Sequence, residues 1–168
     1  MTLSDDQVIV GEFSHQEQLD LLIHRSLDGI KVLPLYRVKL LRYYDSVANI
    51  NRQFLTIRDT HSFQQWKLFE VVVQGKVKVV RRLKFHRPEF FASQANDYNY
   101  FVWDNSKLTS ISQFRHDAYP KLLEDNSYEI KSFVETYHLG LRDVKSVIMI
   151  VKEYNKLQSQ RRLMAQVD

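Results

Sequence analysis

Lys76, Lys78, Arg82 and Lys84 recur at even spacing in one short segment. In a β-strand side chains alternate between the two faces, so these four cations share one face of a single strand. Arg81, His86 and Arg87 add charge nearby, and the aromatic run Tyr98, Tyr100, Phe101, Trp103 follows. Cations that neutralise phosphates beside rings that stack on bases are the parts of a single-stranded nucleic-acid surface. A plain solvated sheet face gives the same pattern, because an antiparallel sheet commonly keeps one face wet and lysines protect its edges. The net charge of +4 is small beside the strong basic character of dedicated nucleic-acid modules. Lys76, Lys78, Arg82 and Lys84 are therefore a candidate binding surface, with nucleic acid as one of its readings.

Other chemistry leaves little trace. The six histidines (His15, His24, His61, His86, His116 and His138) form no His-x-x-x-His pair, and His86 with Glu89 has Pro88 between them. Ser14-His15 is adjacent in sequence, which does not set a hydroxyl against an imidazole, and there is no Gly-x-Ser-x-Gly elbow. Asp5-Asp6 and Glu124-Asp125 read more simply as a polar terminus and a helix cap than as paired catalytic acids. Cysteine is absent, which excludes thiol nucleophiles, disulfides and Cys-ligated metals. With only four Gly and three Pro, a glycine-rich phosphate loop is also disfavoured. No catalytic, cofactor or metal residue is assigned, and a non-enzyme is the favoured reading.

The elements that must position the basic face come in two kinds. Up to about residue 115 apolar residues alternate, most clearly from Phe69 through Val71, Val73 and Val77 to Val79. Beyond it they recur at helical spacing: Ile130, Phe133, Val134, Tyr137, then Val144, Val147, Ile148, Val151, Tyr154. Strands first and helices last predict an α+β fold. We expect one domain over 1–168, β-rich over 7–111 and helical over 114–163. Its antiparallel, twisted, meander-like sheet should hold about six to eight strands under two or three C-terminal helices.

In detail, an extended lead-in with a short strand at Gln7–Val10 precedes a stretch, 14–27, that suits either helix or strand. Asp28-Gly29 is a hairpin turn signal, with a strand over Ile30–Leu33 that Pro34 ends or edges. Further strands are predicted over Tyr36–Tyr44, Gln53–Ile57, Trp66–Val73, Lys76–Phe85, Tyr98–Trp103 and Leu108–Ile111, with Gln74-Gly75 turning the clearest hairpin and His86–Asp97 irregular. Phe114–Leu123 is a short helix disturbed by Pro120. Asp125 or Asn126 caps the next helix through Tyr137, and Gly140 supplies the left-handed residue that ends it. Asp143 starts a last helix running to about Leu157 and fraying through Arg162, with the last six residues poorly ordered.

The chain's 168 residues are 44% hydrophobic and 26% charged, enough to bury a real core. Nine Tyr and ten Phe suit a sheet with aromatic faces. No apolar run approaches the roughly 20 residues of a membrane-spanning helix, and the first residues are polar and acidic, unlike a signal peptide. The protein is then either cytoplasmic, or periplasmic or secreted after removal of a signal.

Three pieces together resemble a known family. They are Phe69-Glu-Val-Val-Val-Gln-Gly-Lys-Val-Lys-Val-Val-Arg-Arg82, Tyr100-Phe-Val-Trp-Asp-Asn-Ser-Lys-Leu108, and a two-helix end. That end runs from Lys121-Leu-Leu-Glu-Asp125 through Glu129-Ile-Lys-Ser-Phe133 to Ile150-Val-Lys-Glu-Tyr-Asn-Lys-Leu157. Over 69–157 the chain resembles an uncharacterised family of small secreted or periplasmic proteins from Bacteroidetes bacteria. The closing Tyr-Asn-x-Leu is the most distinctive piece, and Leu40-Leu-Arg-Tyr-Tyr-Asp45 fits more weakly. The resemblance implies export and carries no activity or site residue. The expected function is a non-enzymatic binding or structural module for an unidentified protein or surface partner. The alternative is a cytoplasmic nucleic-acid-binding protein using the Lys76–Lys84 face.

Overall fold

Alternating apolar residues close into antiparallel ladders wherever turn residues let the chain reverse. The computed structural model describes residues 1–16, 19–59, 65–84 and 97–165, in two compact units, Met1–Val71 and Val72–Asp168. Among the described residues there are ten strands and three α-helices, an α+β fold with antiparallel pairing.

In the first unit β1 (Thr2–Leu3), β5 (Val38–Asp45), β6 (Ile50–Asp59) and β7 (Gln65–Val73, to Val71) lie in that order. A separate three-stranded sheet holds β2 (Glu12–Gln16), β3 (Leu21–Ser26) and β4 (Gly29–Pro34). The stretch that suited helix or strand is thus a hairpin, β2 and β3. Lone leucines at Leu19, Leu21 and Leu22 carry no period of their own, and tertiary pairing decides. Ser26 faces Gly29 in the next hairpin, and Gly29 takes a φ of 118° that favours glycine. Pro34 closes β4, where no further strand needs its missing N–H. Val8 makes a single bridge to Thr2 in place of the strand expected over Gln7–Val10. Leu3, Leu22, Leu33, Leu35, Val38, Leu41 and Leu68 form this unit's core. On the same unit Arg52 joins two carboxylates, Asp45 at 2.7 Å and Glu70 at 2.7 Å.

In the second unit the end of β7 is followed by β8 (Lys78–Leu83), β9 (Tyr98–Trp103) and β10 (Leu108–Ser110), in that spatial order. Three helices follow: α1 (Phe114–Asp117), α2 (Tyr119–Thr136) and α3 (Val144–Met164). Val79 and Val102 sit opposite each other on the face that packs with Phe114, Leu122, Ile130, Val147, Val151 and Tyr154. Ile150, which the helical stripe omitted, is fully buried with them.

Four helix boundaries differ from the sequence reading. Pro120 sits in the first turn of α2, where its missing N–H costs nothing, so it starts a helix and does not disturb one. The helix breaks at Asn126 (φ −144°, ψ 48°), one of the two positions expected to cap it. Its end is a Schellman motif: Leu139 N–H donates to Val134 C=O (2.9 Å) and His138 N–H to Glu135 C=O (3.2 Å). His138, at φ 48°, and not Gly140, is the left-handed residue, because Val134 and Leu139 both pack on the core and set the reversal two residues earlier. Asp143 caps α3 by accepting from Ser146 N–H at 2.8 Å. That helix runs on through Leu163 and Met164, beyond Leu157 where the apolar stripe stops, so its last turns are exposed rather than frayed. The irregular stretch expected over His86–Asp97 lies outside the described residues up to 96, as do 166–168.

Candidate functional site

Of the four cations singled out in the sequence, Lys78 and Arg82 share one face of a strand, and Lys76 turns toward the helices. The strand expected over Lys76–Phe85 is described as Lys78–Leu83, so Lys76 and Lys84 flank it. Lys76 lies in the turn before β8, and its Nζ reaches Asp125 Oδ2 (3.0 Å) and Gln158 Oε1 (3.1 Å). Lys78 sits opposite Trp103, with its Nζ 5.0 Å from the ring centroid and 3.1 Å from Asn105 Oδ1. Burial lowers the pKa of this ammonium. Arg82 shares that face, opposite Asn99, and Lys84 is exposed, its backbone N–H donating to Asp97 C=O at 2.9 Å.

The aromatic run is divided in the same way. Trp103 and Phe101 pair with Lys78 and Val80, on the face opposite the one the helices cover, where Val80 is itself fully buried. Tyr98 and Tyr100 lie on the helix-covered face, where Tyr100 is buried and the Arg81 guanidinium stands 4.1 Å from the centre of the Tyr98 ring. Two of the rings expected to stack on bases thus already carry a cation from β8.

A different set of residues converges. A cleft of about 210 Å³ opens in the second unit among the turn before β8, β9, the β9–β10 loop, β10, the junction of α1 with α2, α2 and α3. Val77, Val102, Ala118 and Leu122, all buried, make its floor, together with Thr109 and Tyr154. Lys76, Asn105, Lys107 and Lys121 are exposed at its mouth beside the half-buried Asp104.

Local turns put each of these in place. The β9–β10 loop is an Asx-type turn: Asp104 Oδ1 accepts from Ser106 N–H (2.9 Å), Ser106 Oγ (2.7 Å) and Lys107 N–H (2.7 Å). Its other oxygen accepts from Lys121 Nζ at 2.9 Å. Burial pushes the Asp104 carboxyl up, but these donors outweigh it and hold the group well below the usual carboxylate range. Asn105, left-handed at φ 72°, donates from Nδ2 to Lys76 C=O (3.3 Å) and so ties the two loops together.

The remaining lysines are held from outside the cleft. Lys107 Nζ lies 2.6 Å from Asp117 Oδ2, whose carboxyl that contact lowers. The Asp125 carboxylate, lowered chiefly by Lys76, also accepts from Tyr154 Oη at 3.3 Å. Burial raises the Tyr154 phenol, so its O–H stays a donor at neutral pH.

The turn at Gln74–Val77 is fixed from beneath by Asn155. Val77 N–H donates to Asn155 Oδ1 (3.1 Å), and Asn155 Nδ2 donates to Val77 C=O (2.7 Å) and Gln74 C=O (3.4 Å). Gly75, at φ 152°, passes so close that a Cβ there would lie 2.2 Å from Asn155 Cγ. Tyr154 and Asn155 of the distinctive Tyr-Asn-x-Leu segment therefore have separate tasks: one floors the cleft, the other holds the hairpin that carries Lys76.

Sequence reading missed Asp104, Asn105, Lys107, Thr109, Lys121 and Tyr154. Lys76, Lys107 and Lys121 stand on three different elements, so no spacing links them. The one local signal was Asp104-Asn-Ser-Lys107, whose Asp and Asn mark a turn with oriented amides. Among the described residues no group of three His, Asp or Glu side chains is placed to hold a metal ion, and no helix is long and apolar enough to cross a membrane. Comparison of the chain with known protein families, with curated proteins and with solved structures finds no match.

Proposed function

We propose that this protein is a non-enzymatic binding module and that the cleft of the second unit is its ligand site. The observation that carries the reading is the composition of the cleft: a buried apolar floor under a mouth of lysine, asparagine and aspartate. Concave apolar sites with a few convergent polar groups are where small ligands bind. The polar groups there suit recognition better than bond-making. Each lysine at the mouth has a carboxylate partner, at 3.0 Å, 2.6 Å and 2.9 Å. The contacts with Asp125 and Asp104 raise Lys76 and Lys121, so these ammonium groups remain protonated and are poor nucleophiles or bases.

The nucleic-acid reading draws less support. Lys76 turns toward α2 and α3, and Trp103 and Tyr98 are covered by Lys78 and Arg81. Export rests on the family resemblance alone. Cell fractionation of the native protein tests it, and recovery only in the cytoplasm contradicts it.

The site is tested by recording backbone amide resonances while adding a panel of small acids, bases and neutral compounds. Binding is expected to move Thr109, Ala118 and Leu122 together. If no compound moves them, or if the shifts fall elsewhere, the cleft is not the ligand site.

A further inference from the structure

Resting on that reading, we infer that the ligand is a small organic anion: a carboxylate or phosphate head at the lysine mouth and a short apolar body on the floor. Of the charged side chains that line the cleft, Lys76, Lys107 and Lys121 are cationic and Asp104 is anionic; with the outside partners Asp117 and Asp125 the six charges cancel, but it is the ammonium groups that line the cleft. Asp117 and Asp125 partner Lys107 and Lys76 but do not line the cleft. Exposed ion pairs of this kind are weak and exchangeable, so a bound anion can share or replace these counter-ions at little cost. Lys121 is the firmer member, because its partner Asp104 is fixed by the turn amides.

The lower half of the cleft selects differently. Val77, Val102, Ala118 and Leu122 offer no polar side-chain atoms, and Thr109 and Tyr154 add one hydroxyl each, so a bare oxyanion would leave most of that surface uncovered. At about 210 Å³ the space lies below the roughly 300–1,000 Å³ typical of drug-sized ligand sites, so the body must be small. A cationic ligand would meet three ammonium groups and one carboxylate, Asp104, whose oxygens are already taken by the turn amides and Lys121.

Benzoate, phenyl phosphate, inorganic phosphate, benzyl alcohol and benzylammonium separate these contributions, with affinity read from the Thr109, Ala118 and Leu122 amides. Benzoate or phenyl phosphate should bind more tightly than the other three, and more weakly as salt rises. Lys107→Met and Lys121→Met should each weaken that binding about tenfold, while Lys145→Met, on the exposed side of α3, should leave it unchanged. Because either variant could perturb the fold, the salt dependence is read on the unaltered chain. Benzyl alcohol binding as tightly as benzoate, with no salt dependence, overturns the anion and leaves the cleft as a site for neutral ligands. Inorganic phosphate matching phenyl phosphate overturns the apolar body. If none of the five moves the cleft amides, the anion inference fails. The cleft itself then stands or falls with the wider panel.

Discussion

At the scale of single residues, two buried asparagines do opposite things. Asn155, 9% exposed, satisfies both backbone groups of Val77, so its amide works as a substitute strand for the turn. Asn155→Leu would keep the volume and strand a buried N–H and C=O. We expect a loss of about 2–3 kcal/mol in urea unfolding, and Gly75→Ala should be harmful too, because its Cβ has no room beside Asn155. Asn126 is 1% exposed, and neither its Oδ1 nor its Nδ2 has a hydrogen-bond partner among the described residues. Asn126→Leu should therefore stabilise the protein by about 1–2 kcal/mol; a lower unfolding midpoint would show that the amide is satisfied after all. Neither role was legible in the sequence. Local chemistry makes Asp125 or Asn126 a cap, but whether a polar group is paired depends on neighbours far along the chain. The Tyr-Asn-x-Leu pattern drew notice without a reason, and the reason is a contact across 78 positions to Val77.

At the scale of elements, strands and helices were mostly visible because alternation and helical spacing report directly which face is buried. Tyr98–Trp103 begins and ends where its pattern does. The misses fall where tertiary packing outweighs local preference: the left-handed His138 in place of Gly140 and the long end of α3; over 14–27, where the local pattern leaves helix and strand both open, pairing selects strand. Asp143 was expected to complement the dipole of α3, and it does so as the cap itself, accepting from Ser146 N–H and from Ser146 Oγ at 2.9 Å. Asp143→Ala should cost about 1 kcal/mol, with the loss seen as faster amide exchange in the first turn of α3. Asp143→Asn, which keeps an acceptor, should restore most of it. Equal exchange in all three proteins would mean that the cap contributes nothing.

At the scale of the whole molecule, the change of rhythm near residue 115 separates strands from helices but not the compact units, which divide after Val71. That boundary falls inside β7, within the apolar run Val71-Val72-Val73, so no composition shift marks it. Both units do share one electrostatic habit: carboxylates fixed by donors. Ala48 N–H and Arg52 lower Asp45 in the first unit. In the second, Lys107 lowers Asp117, Lys76 lowers Asp125, Ser146 N–H lowers Asp143, and the turn amides with Lys121 lower Asp104 against its burial. Each of these groups holds its proton less tightly when folded than when unfolded. Each therefore adds stability that is fully present above the unfolded carboxylate range, near pH 4, and that is lost as pH falls through the folded values beneath it. The urea midpoint should be level from about pH 7 to pH 5.5 and decline steadily below about pH 4.5. Asp104→Asn keeps the acceptor for Ser106 and Lys107 while removing the charge that meets Lys121. It should lower the midpoint at pH 7 and make the decline on acidification shallower. A midpoint that stays level down to pH 3, or a variant that falls as steeply as the original chain, would mean that these contacts do not carry the acid response.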